Sequence, residues 1–271
     1  MGGEGAPPDA VLGEDGRVPQ LLTADGVRLH AEVLPGGPDW IVLAHGFSGS
    51  TDAPPLRRVA LRLARSATVL MYDARGHGRS AGRCTLGDRE VLDVDAAVAA
   101  ARAQGARRVA TVGFSMGAAA VVRHAAQVEG YGLTQRPDAV VVVSGTSSWS
   151  TWATATSAMR RLHLLVQTRV GRLVTRRVLH TRVDPHAWAV PPVTPLACVD
   201  RVGVPLLVVH GDRDAYLRLE HGRALAERSG VELWAEPGFG HAEVGMTDAL
   251  TDRIGAHLGR VLAPEGSREA S

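Results

Sequence analysis

The pentapeptide GFSMG, residues 113–117, places a serine between two glycines in the pattern G-x-S-x-G. A serine hydroxyl is a weak nucleophile at neutral pH, and it becomes reactive when a histidine base and an orienting carboxylate lie beside it. With 31 glycines in 271 residues the pattern also arises by chance, so Ser115 is alternatively a small residue in a tight turn. The rest of the chain has to decide between these two interpretations.

Two later segments supply a base and a carboxylate. The segment HGDRD ends at Asp214, and the segment GFGH ends at His241. Each of them, like Ser115, follows a strand-like apolar run, and the carboxyl ends of parallel strands meet at the same edge of a sheet. Ser115 is also followed by the small-residue stretch MGAAAVVRHAA, which favours a turn from strand to helix. We therefore predict a nucleophile at Ser115, an orienting acid at Asp214 and a base at His241.

The other histidines and the two cysteines indicate no further chemistry. His45 and His77 are expected to shape loops, and no H-E-x-x-H spacing occurs among the 11 histidines, so we predict no metal site. Cys84 and Cys198 lie far apart and form no C-x-x-C pair. This pattern is typical of reduced thiols in a cytoplasmic protein, which is the location we expect.

Composition excludes several classes of function. The formal net charge is only +2, which argues against nucleic-acid binding, and no apolar run approaches the length of a membrane span. All 30 basic residues are arginine, so a Schiff-base lysine, a pyridoxal-phosphate site and a lysine-containing phosphate loop are excluded. The segment GHGRSA, residues 76–81, nearly matches a dinucleotide fingerprint, but a loop sequence follows it where a helix is needed. We expect no cofactor.

The elements that must position these residues alternate along the chain from about residue 18. Continuous apolar runs are expected in strands that are buried on both faces, and helix-like segments separate them. The pattern therefore predicts an α/β fold with a mostly parallel, eight-stranded sheet and helices on both faces. The predicted strands are two within 17–35, joined by a turn at Asp25-Gly26, and six at 40–45, 67–73, 107–114, 138–145, 204–211 and 231–236, with helices near 55–65, 88–103, 116–128, 218–228 and 244–260.

Residues 146–200 interrupt this alternation with Trp149 and Trp152, then an arginine-rich helical stretch and the proline cluster VPPVTP. So long an excursion between two strands is typical of an inserted cap. We predict a helical cap at 146–200 on a hydrolytic core formed by 18–145 and 201–262. The Gly- and Pro-rich residues 1–17 and the residues 263–271 are predicted to be disordered tails.

The arginine-rich stretch of the predicted cap is strongly amphipathic. A helical projection places five apolar residues on one face and four arginines beside them. One interpretation is a lid helix with a solvated basic face, and the other is a patch that attracts anionic substrates, acyl-carrier proteins or membrane surfaces. The apolar residues are Leu162, Val166, Val170, Leu173 and Val174, and the arginines are Arg161, Arg169, Arg172 and Arg176.

Four motifs together resemble the α/β-hydrolase superfamily, in particular its serine hydrolases of the esterase and monoglyceride-lipase-like branch. They are HGF at 45–47, YDARGHGRS at 72–80, GFSMG at 113–117, and HGDRD with GFGH at 210–214 and 238–241. The resemblance extends from about residue 18 to residue 260. It implies the α/β-hydrolase fold and hydrolysis without a cofactor or a metal.

The resemblance also implies roles for single residues. The family pattern H-G-x-x-D places the acid at Asp214, with Asp212 as the alternative because the residues after Asp214 depart from the family pattern. The backbone amides of Phe47 and Met116 are expected to hold the oxyanion, and that of Met116 begins a helix, where partial positive charge favours an anion.

The predicted function is hydrolysis of a carboxylic ester through an acyl-enzyme on Ser115. Trp149, Trp152, Met159 and Leu162 are the candidates for lining a pocket for a small or medium apolar acyl group. Two alternatives remain open. The first is a thioesterase whose basic cap contacts coenzyme A or an acyl-carrier protein, and the second is a hydrolase-fold binding protein without turnover. The sequence leaves the oligomeric state undetermined.

Overall fold

The computed structural model of this chain describes residues 21–149, 155–188 and 190–263. The predicted tail at 1–17 and nearly all of the tail predicted at 263–271 lie outside these residues. The strands are β1 (Leu21–Leu22), β2 (Arg28–Leu29), β3 (Ala31–Leu34), β4 (Trp40–Ala44), β5 (Thr68–Tyr72), β6 (Val109–Phe114), β7 (Ala139–Val143), β8 (Leu206–Gly211) and β9 (Leu233–Glu236). The helices are α1 (Pro54–Leu63), α2 (Glu90–Ala103), α3 (Met116–Ala125), α4 (Ser157–Gln167), α5 (Arg169–Val178), α6 (Leu219–Ser229), α7 (Ala242–Gly245) and α8 (Asp248–Val261).

The main sheet has seven strands in the order β3-β5-β4-β6-β7-β8-β9. All neighbours are parallel except β3, which pairs antiparallel with β5, so the predicted mostly parallel sheet with helices is confirmed. The predicted number of eight strands is not confirmed among the described residues. The first predicted strand, β1, pairs only with β2 in a separate two-stranded ribbon. The second predicted strand is interrupted at His30, whose N–H donates to Ser80 Oγ at 2.9 Å.

The sheet is buried on both faces because its strands are continuous apolar runs. Alternate residues of β4 point to opposite sides: Ile41 and Leu43 join the core under α1 and α8, and Val42 and Ala44 join the core under α2 and α3. This arrangement leaves the carboxyl ends of β4, β6, β7, β8 and β9 at one edge, where their loops meet.

The arginine-rich stretch between β7 and β8 differs from the prediction of one continuous amphipathic face. It is two helices, because Thr168 has an extended backbone and its side chain accepts a hydrogen bond from the Gly171 N–H, which caps the start of α5. Val166 is buried at the end of α4, whereas Val170 is 72% exposed, and Leu173 and Val174 are exposed as well. The apolar face predicted to run along the whole arginine-rich stretch therefore ends at Thr168.

Helices α4 and α5 are followed by two short 3₁₀ turns, Pro195–Ala197 and Val199–Arg201, before β8 begins. The helix predicted near 244–260 is also two helices, because Thr247 caps the start of α8 by accepting a hydrogen bond from the Leu250 N–H. No helix within the described residues is long and apolar enough to cross a membrane.

Candidate active site

Ser115 alone forms the turn between β6 and α3. Its backbone has φ +50° and ψ −108°, which is outside the regions that residues with a side chain favour. Such a conformation costs about 1–3 kcal/mol and persists only where the surrounding structure imposes it. The Ser115 N–H donates to the Val143 carbonyl at 3.0 Å, so the end of β7 holds the turn in place. The turn presents the Ser115 hydroxyl to two cavities at the carboxyl edge of the sheet.

The two glycines of the pentapeptide are required by close packing. A Cβ on Gly117 would lie 2.1 Å from the Ala44 carbonyl oxygen of β4, and one on Gly113 would lie 2.5 Å from the Gly117 carbonyl oxygen. Both distances are shorter than any side chain tolerates. The chain can therefore pass from β6 into α3 this tightly only with glycine at both positions.

His241 joins Ser115 to Asp214 in one line of hydrogen bonds. His241 Nε2 lies 2.9 Å from Ser115 Oγ, and His241 Nδ1 lies 2.6 Å from Asp214 Oδ2. The alternative acid, Asp212, points elsewhere, because its Oδ1 accepts a hydrogen bond from the Gly238 N–H at 2.7 Å. The structure thus brings the three predicted residues together, although they lie on the loops after three different strands.

Asp214 is held in its charged form and in a fixed orientation. Burial by itself would raise its pKa, but the hydrogen bond and the charge of His241, with the backbone amides of Leu217 and Tyr216, lower the pKa below its usual value. Those two amides donate to Asp214 Oδ1 at 2.9 and 2.8 Å. The Tyr216 ring lies against the His241 ring, with centroids 4.8 Å apart. An anionic Asp214 is what a histidine needs in order to accept a proton at Nε2.

The backbone amides predicted to hold an oxyanion are available. Within the described residues, neither the Phe47 nor the Met116 N–H donates a hydrogen bond to another part of the chain. Met116 is the first residue of α3, where helix N–H groups lack partners inside the helix and favour an anion. Both residues line the same cavity as Ser115.

Glu243 is a site residue that the sequence prediction missed. Its Oε1 accepts a hydrogen bond from the Gly46 N–H at 3.1 Å, in the loop that carries Phe47. The carboxylate is buried, and a Cβ placed on Gly46 would lie 3.3 Å from Glu243 Oε2 and 3.4 Å from Ser115 Cβ. Glu243 therefore anchors the loop after β4 next to Ser115. No motif signals this contact, because 197 residues separate the two partners in sequence.

A buried ion-pair network holds the loop after β5. Arg75 is 2% exposed, its Nε donates to Asp93 Oδ1 at 2.8 Å, and its Nη1 donates to Asp25 Oδ2 at 2.8 Å. The Arg75 N–H also donates to Asp93 Oδ2 at 2.8 Å. These bonds join the loop of the YDARGHGRS motif to α2 and to the β1–β2 turn.

The histidines predicted to shape loops connect the same region. His45 Nε2 accepts a hydrogen bond from the Ala74 N–H at 2.9 Å and so joins the loops after β4 and β5. His77 packs against the His45 ring, with centroids 5.0 Å apart, and has no exposed surface. Burial, together with the neighbouring His45, lowers the pKa of His77 to about 3, so His77 is neutral at ordinary pH. Both histidines hold loops and neither reaches Ser115 through a hydrogen bond within the described residues.

One side of Ser115 opens into an apolar cavity of about 120 Å³. Three of the predicted pocket residues, Trp149, Met159 and Leu162, line it, and Trp152 lies outside the described residues. The sequence prediction missed Trp188, whose ring packs 4.8 Å from that of Trp149. Both indole N–H groups bond to backbone carbonyls, of Pro192 and Thr85, so the rings present only apolar surface to the cavity. We name this space the apolar cavity.

The other side of Ser115 faces a second cavity of about 590 Å³, which we name the larger cavity. His241, Glu243, Tyr216 and Arg161 contribute polar groups to its wall. The described residues contain no group of three His, Cys, Asp or Glu side chains that could hold a metal ion, and Cys84 and Cys198 are both buried and unbridged.

A third cavity lies between α5 and two neighbouring segments, and its volume is about 370 Å³. We name it the arginine cleft because five arginines and no acidic residue line it. They are Arg83, Arg169, Arg172, Arg176 and Arg182, together with Leu173, Val183 and Pro185.

Comparison with known proteins identifies the family of this chain. The family model described as the Alpha/beta hydrolase family matches residues 41–252, which is most of the chain. The chain belongs to the alpha/beta hydrolase family. The matched residues of this hydrolase include Ser115, Asp214, His241 and the loop that carries Phe47. A comparison with curated proteins finds no match.

Solved structures similar to this hydrolase include several esterases. The Pyrococcus furiosus esterase Pf2001 is 24% identical over 89% of this chain and 90% of its own, with a TM-score of 0.65. A putative aryl esterase from Burkholderia cenocepacia is 19% identical over 90% and 99%, with a TM-score of 0.64. Est1E from Butyrivibrio proteoclasticus, solved with ferulic acid bound, is 18% identical over 90% and 99%, with a TM-score of 0.61. At these identities the likeness shows a shared fold.

Proposed function

We propose that this alpha/beta hydrolase cleaves carboxylic esters through an acyl-enzyme on Ser115. The observation that carries the proposal is the line of hydrogen bonds in which His241 Nε2 lies 2.9 Å from Ser115 Oγ and His241 Nδ1 lies 2.6 Å from Asp214 Oδ2. This is the arrangement that makes a serine hydroxyl nucleophilic at neutral pH. The esterases among the similar structures support the same reaction class.

In the first half of the reaction, Ser115 Oγ attacks the ester carbonyl carbon and its proton passes to His241 Nε2. Asp214, kept anionic by its hydrogen bonds, stabilises the imidazolium through Nδ1–H. The carbonyl oxygen becomes an oxyanion, and the free amides of Phe47 and Met116 donate to it; one such donor is worth roughly 3–4 kcal/mol. The C–O bond to the alcohol then breaks, and the His241 proton goes to the leaving oxygen.

In the second half, water attacks the acyl carbon and gives a proton to His241, the bond to Ser115 Oγ breaks, and Ser115 recovers its proton. The carboxylic acid is released and no other reactant is consumed. Glu243 supports both halves indirectly, because its hydrogen bond to the Gly46 amide fixes the loop that carries the Phe47 amide.

The apolar cavity supports an apolar acyl group of limited size. Its wall is formed mostly by aromatic and aliphatic side chains, among them Trp149, Trp188, Met159 and Leu162. A cavity of about 150 Å³ accepts benzene, so the 120 Å³ found here suits an acyl chain of about five carbons. The larger cavity, next to His241, receives the alcohol part of the ester in this proposal.

The test is hydrolysis of p-nitrophenyl butanoate and labelling by a fluorophosphonate, with Ser115→Ala and Ser66→Ala compared. Ser66 lies three residues after the end of α1 and lines neither cavity, so its variant controls for the loss of a serine hydroxyl. We expect Ser115→Ala to lose at least about 10⁴-fold in kcat/KM and all labelling, and to keep the melting temperature of the wild type. Labelling of Ser115→Ala at the wild-type rate would overturn the proposal. Tight retention of an ester without product release would favour a non-catalytic binding protein instead.

Thioester hydrolysis is a second candidate, because the same attack on an acyl carbon expels a thiol as readily as an alcohol. The observation that favours it is the arginine cleft, which suits the phosphates of a coenzyme A thioester.

A further inference from the structure

The arginine cleft is built from two walls that converge. Arg169, Arg172 and Arg176 lie three and four residues apart on α5, so they occupy one face of that helix. Arg83 and Arg182 form the opposite wall, where the Cys84 N–H donates to the Arg182 carbonyl at 2.7 Å and fixes the two segments side by side. Arginines from three separate segments therefore line one space.

Two of the five arginines are held in place by backbone carbonyls. Arg172 Nη1 donates to the carbonyls of Val166 and Gln167 at 3.1 and 2.7 Å, and Arg182 Nη2 donates to the carbonyl of Ser80. A guanidinium has five N–H donors, so each of these side chains keeps donors that no described residue uses. Neutral carbonyls orient the two groups without cancelling their charge.

No carboxylate lines the cleft among the described residues. Eleven arginines elsewhere form ion pairs with Asp or Glu, namely Arg57, Arg62, Arg75, Arg79, Arg89, Arg102, Arg107, Arg123, Arg223, Arg228 and Arg253. Within the described residues, none of the five cleft arginines forms an ion pair. Like charges gathered in one cleft repel each other, and an anion bound between them removes that cost.

The cleft adjoins the apolar cavity, because the same three segments line both spaces. Arg83 lies three residues from Leu86, Arg169 three residues from Val166, and Val183 five residues from Trp188, where the second residue of each pair lines the apolar cavity. Three residues span at most about 11 Å of chain. The larger cavity, which receives the alcohol or thiol part in the proposed reaction, also lies near the cleft, because Leu179 and Leu165 line it and lie three and four residues from Arg176 and Arg169. A leaving group in the larger cavity can therefore reach the cleft with a linker of modest length.

We propose that the arginine cleft binds the phosphate groups of the substrate's leaving group, so that the natural substrate is an ester or thioester of a phosphorylated alcohol or thiol. This inference rests on the proposed function for its acyl chemistry. A phosphate offers several oxygens and up to two negative charges to several arginines at once, whereas a single carboxylate is satisfied by one bidentate arginine. A second copy of this chain is a poor occupant, because a twofold contact would place the two arginine sets against each other.

Binding is tested directly with inorganic pyrophosphate as the probe, by calorimetry at 50 and 200 mM salt. The variant is Arg169→Gln/Arg176→Gln, and the control is Arg177→Gln, which removes one exposed charge of α5 that does not line the cleft. We expect the double variant to bind at least about tenfold more weakly, the control to bind as the wild type does, and wild-type binding to weaken with salt. No binding by the wild type, or an equal loss in Arg177→Gln, would overturn the proposal.

Kinetics distinguish the sources of the phosphate. Wild type and Arg169→Gln/Arg176→Gln are compared on butanoyl-coenzyme A, on 1-butanoyl-glycerol 3-phosphate and on uncharged p-nitrophenyl butanoate. We expect the double variant to raise KM about tenfold for the phosphorylated substrate that uses the cleft, with kcat and the uncharged ester unaffected. If KM rises only for butanoyl-coenzyme A, the natural leaving group is a nucleotide-linked thiol. If KM rises for 1-butanoyl-glycerol 3-phosphate, the natural leaving group is a phosphorylated alcohol. Equal effects on all three substrates, or on none, would overturn the inference.

The two proposals fail in different ways. Pyrophosphate binding by a wild type that turns over no ester or thioester would refute the proposed hydrolysis and leave the cleft as an anion site. Turnover of p-nitrophenyl butanoate without pyrophosphate binding would refute the cleft proposal alone. The Ser115→Ala variant should bind pyrophosphate as the wild type does, because Ser115 does not line the cleft.

Discussion

Arg75 and Arg176 both lie in the part of the molecule that surrounds the candidate active site, but their environments are opposite. Arg75 is 2% exposed and forms ion pairs with Asp93 and Asp25 under the loops that follow β4 and β5. Arg176 is exposed on α5, lines the arginine cleft and, within the described residues, has no acidic partner. An arginine side chain thus stabilises a loop through buried ion pairs in one region and presents an unneutralised charge in the other.

This difference separates groups that hold the site from groups that are available to a ligand. Under the site, each described carboxylate or guanidinium that fixes a loop has a defined partner: Glu243 with the Gly46 amide, Asp214 with His241, and Arg75 with Asp93. A buried charge without a partner costs several kcal/mol, so removing one member of such a pair destabilises the loop that it holds. The cleft arginines lie at the surface, where solvent lowers that cost and leaves their charge for binding.

The largest expected effect on activity comes from replacing Asp214, which is paired with His241, and it is compared with the same replacement of Asp212 on the same loop. Asp214→Asn keeps the shape of the side chain but presents an amide to His241 Nδ1 and favours the wrong tautomer, so we expect kcat/KM for p-nitrophenyl butanoate to fall about 10⁴-fold. Asp212→Asn is the matched control and should stay within about twofold of the wild type, because Asp212 bonds to the Gly238 amide instead. Equal losses in both variants would remove Asp214 from its proposed role.

A smaller effect, on stability, compares the two arginines themselves. Arg75→Gln leaves Asp93 buried without its ionic partner, so we expect the free energy of unfolding in urea to fall by about 3–5 kcal/mol. Arg176→Gln should change it by less than about 0.5 kcal/mol, since an exposed charge without a partner contributes little to the fold. If Arg176→Gln lowered the free energy of unfolding by a comparable amount, the cleft arginine would also stabilise the fold.

The smallest of these effects tests whether a paired carboxylate positions the loop that carries Phe47. Glu243→Ala leaves the Gly46 amide without its acceptor and should lower kcat about 10- to 100-fold with KM nearly unchanged. Glu243→Gln keeps an oxygen at the same place and should restore most of kcat. If the two variants behave alike, the charge of Glu243 matters more than its hydrogen bond, and the positioning role is wrong.

The sequence predicted the sheet and the meeting of Ser115, Asp214 and His241 because both follow from short-range patterns. Buried parallel strands need continuous apolar runs, and residues just after such runs collect at one edge. The choice of Asp214 over Asp212 as the proposed acid needed the structure, because the two are two residues apart in sequence and only Asp214 lies within hydrogen-bond distance of His241. The catalytic roles of the three residues stay proposals until the variants are measured.

Other features depend on contacts that no local pattern carries. The apolar periodicity of the arginine-rich stretch continues past Thr168, yet the helix breaks there because the threonine side chain caps the start of α5. Trp188 reaches the apolar cavity through its packing on Trp149, and Glu243 reaches Gly46 from the far end of the chain. The predicted number of eight strands is not confirmed among the described residues, because β1 pairs with β2 and not with the main sheet, and such pairing depends on the partner strand as well as on a strand's own residues.

The strained backbone of Ser115 also has a consequence for the nascent and the partly unfolded chain. Its φ of +50° is imposed from outside the pentapeptide, by the end of β7 at the Ser115 amide and by β4 against Gly117. A free GFSMG segment has neither neighbour and relaxes to ordinary dihedral angles. In our proposal, reactivity therefore arises only when strands distant in sequence have docked, and a misfolded copy of this chain is chemically inert rather than an uncontrolled hydrolase.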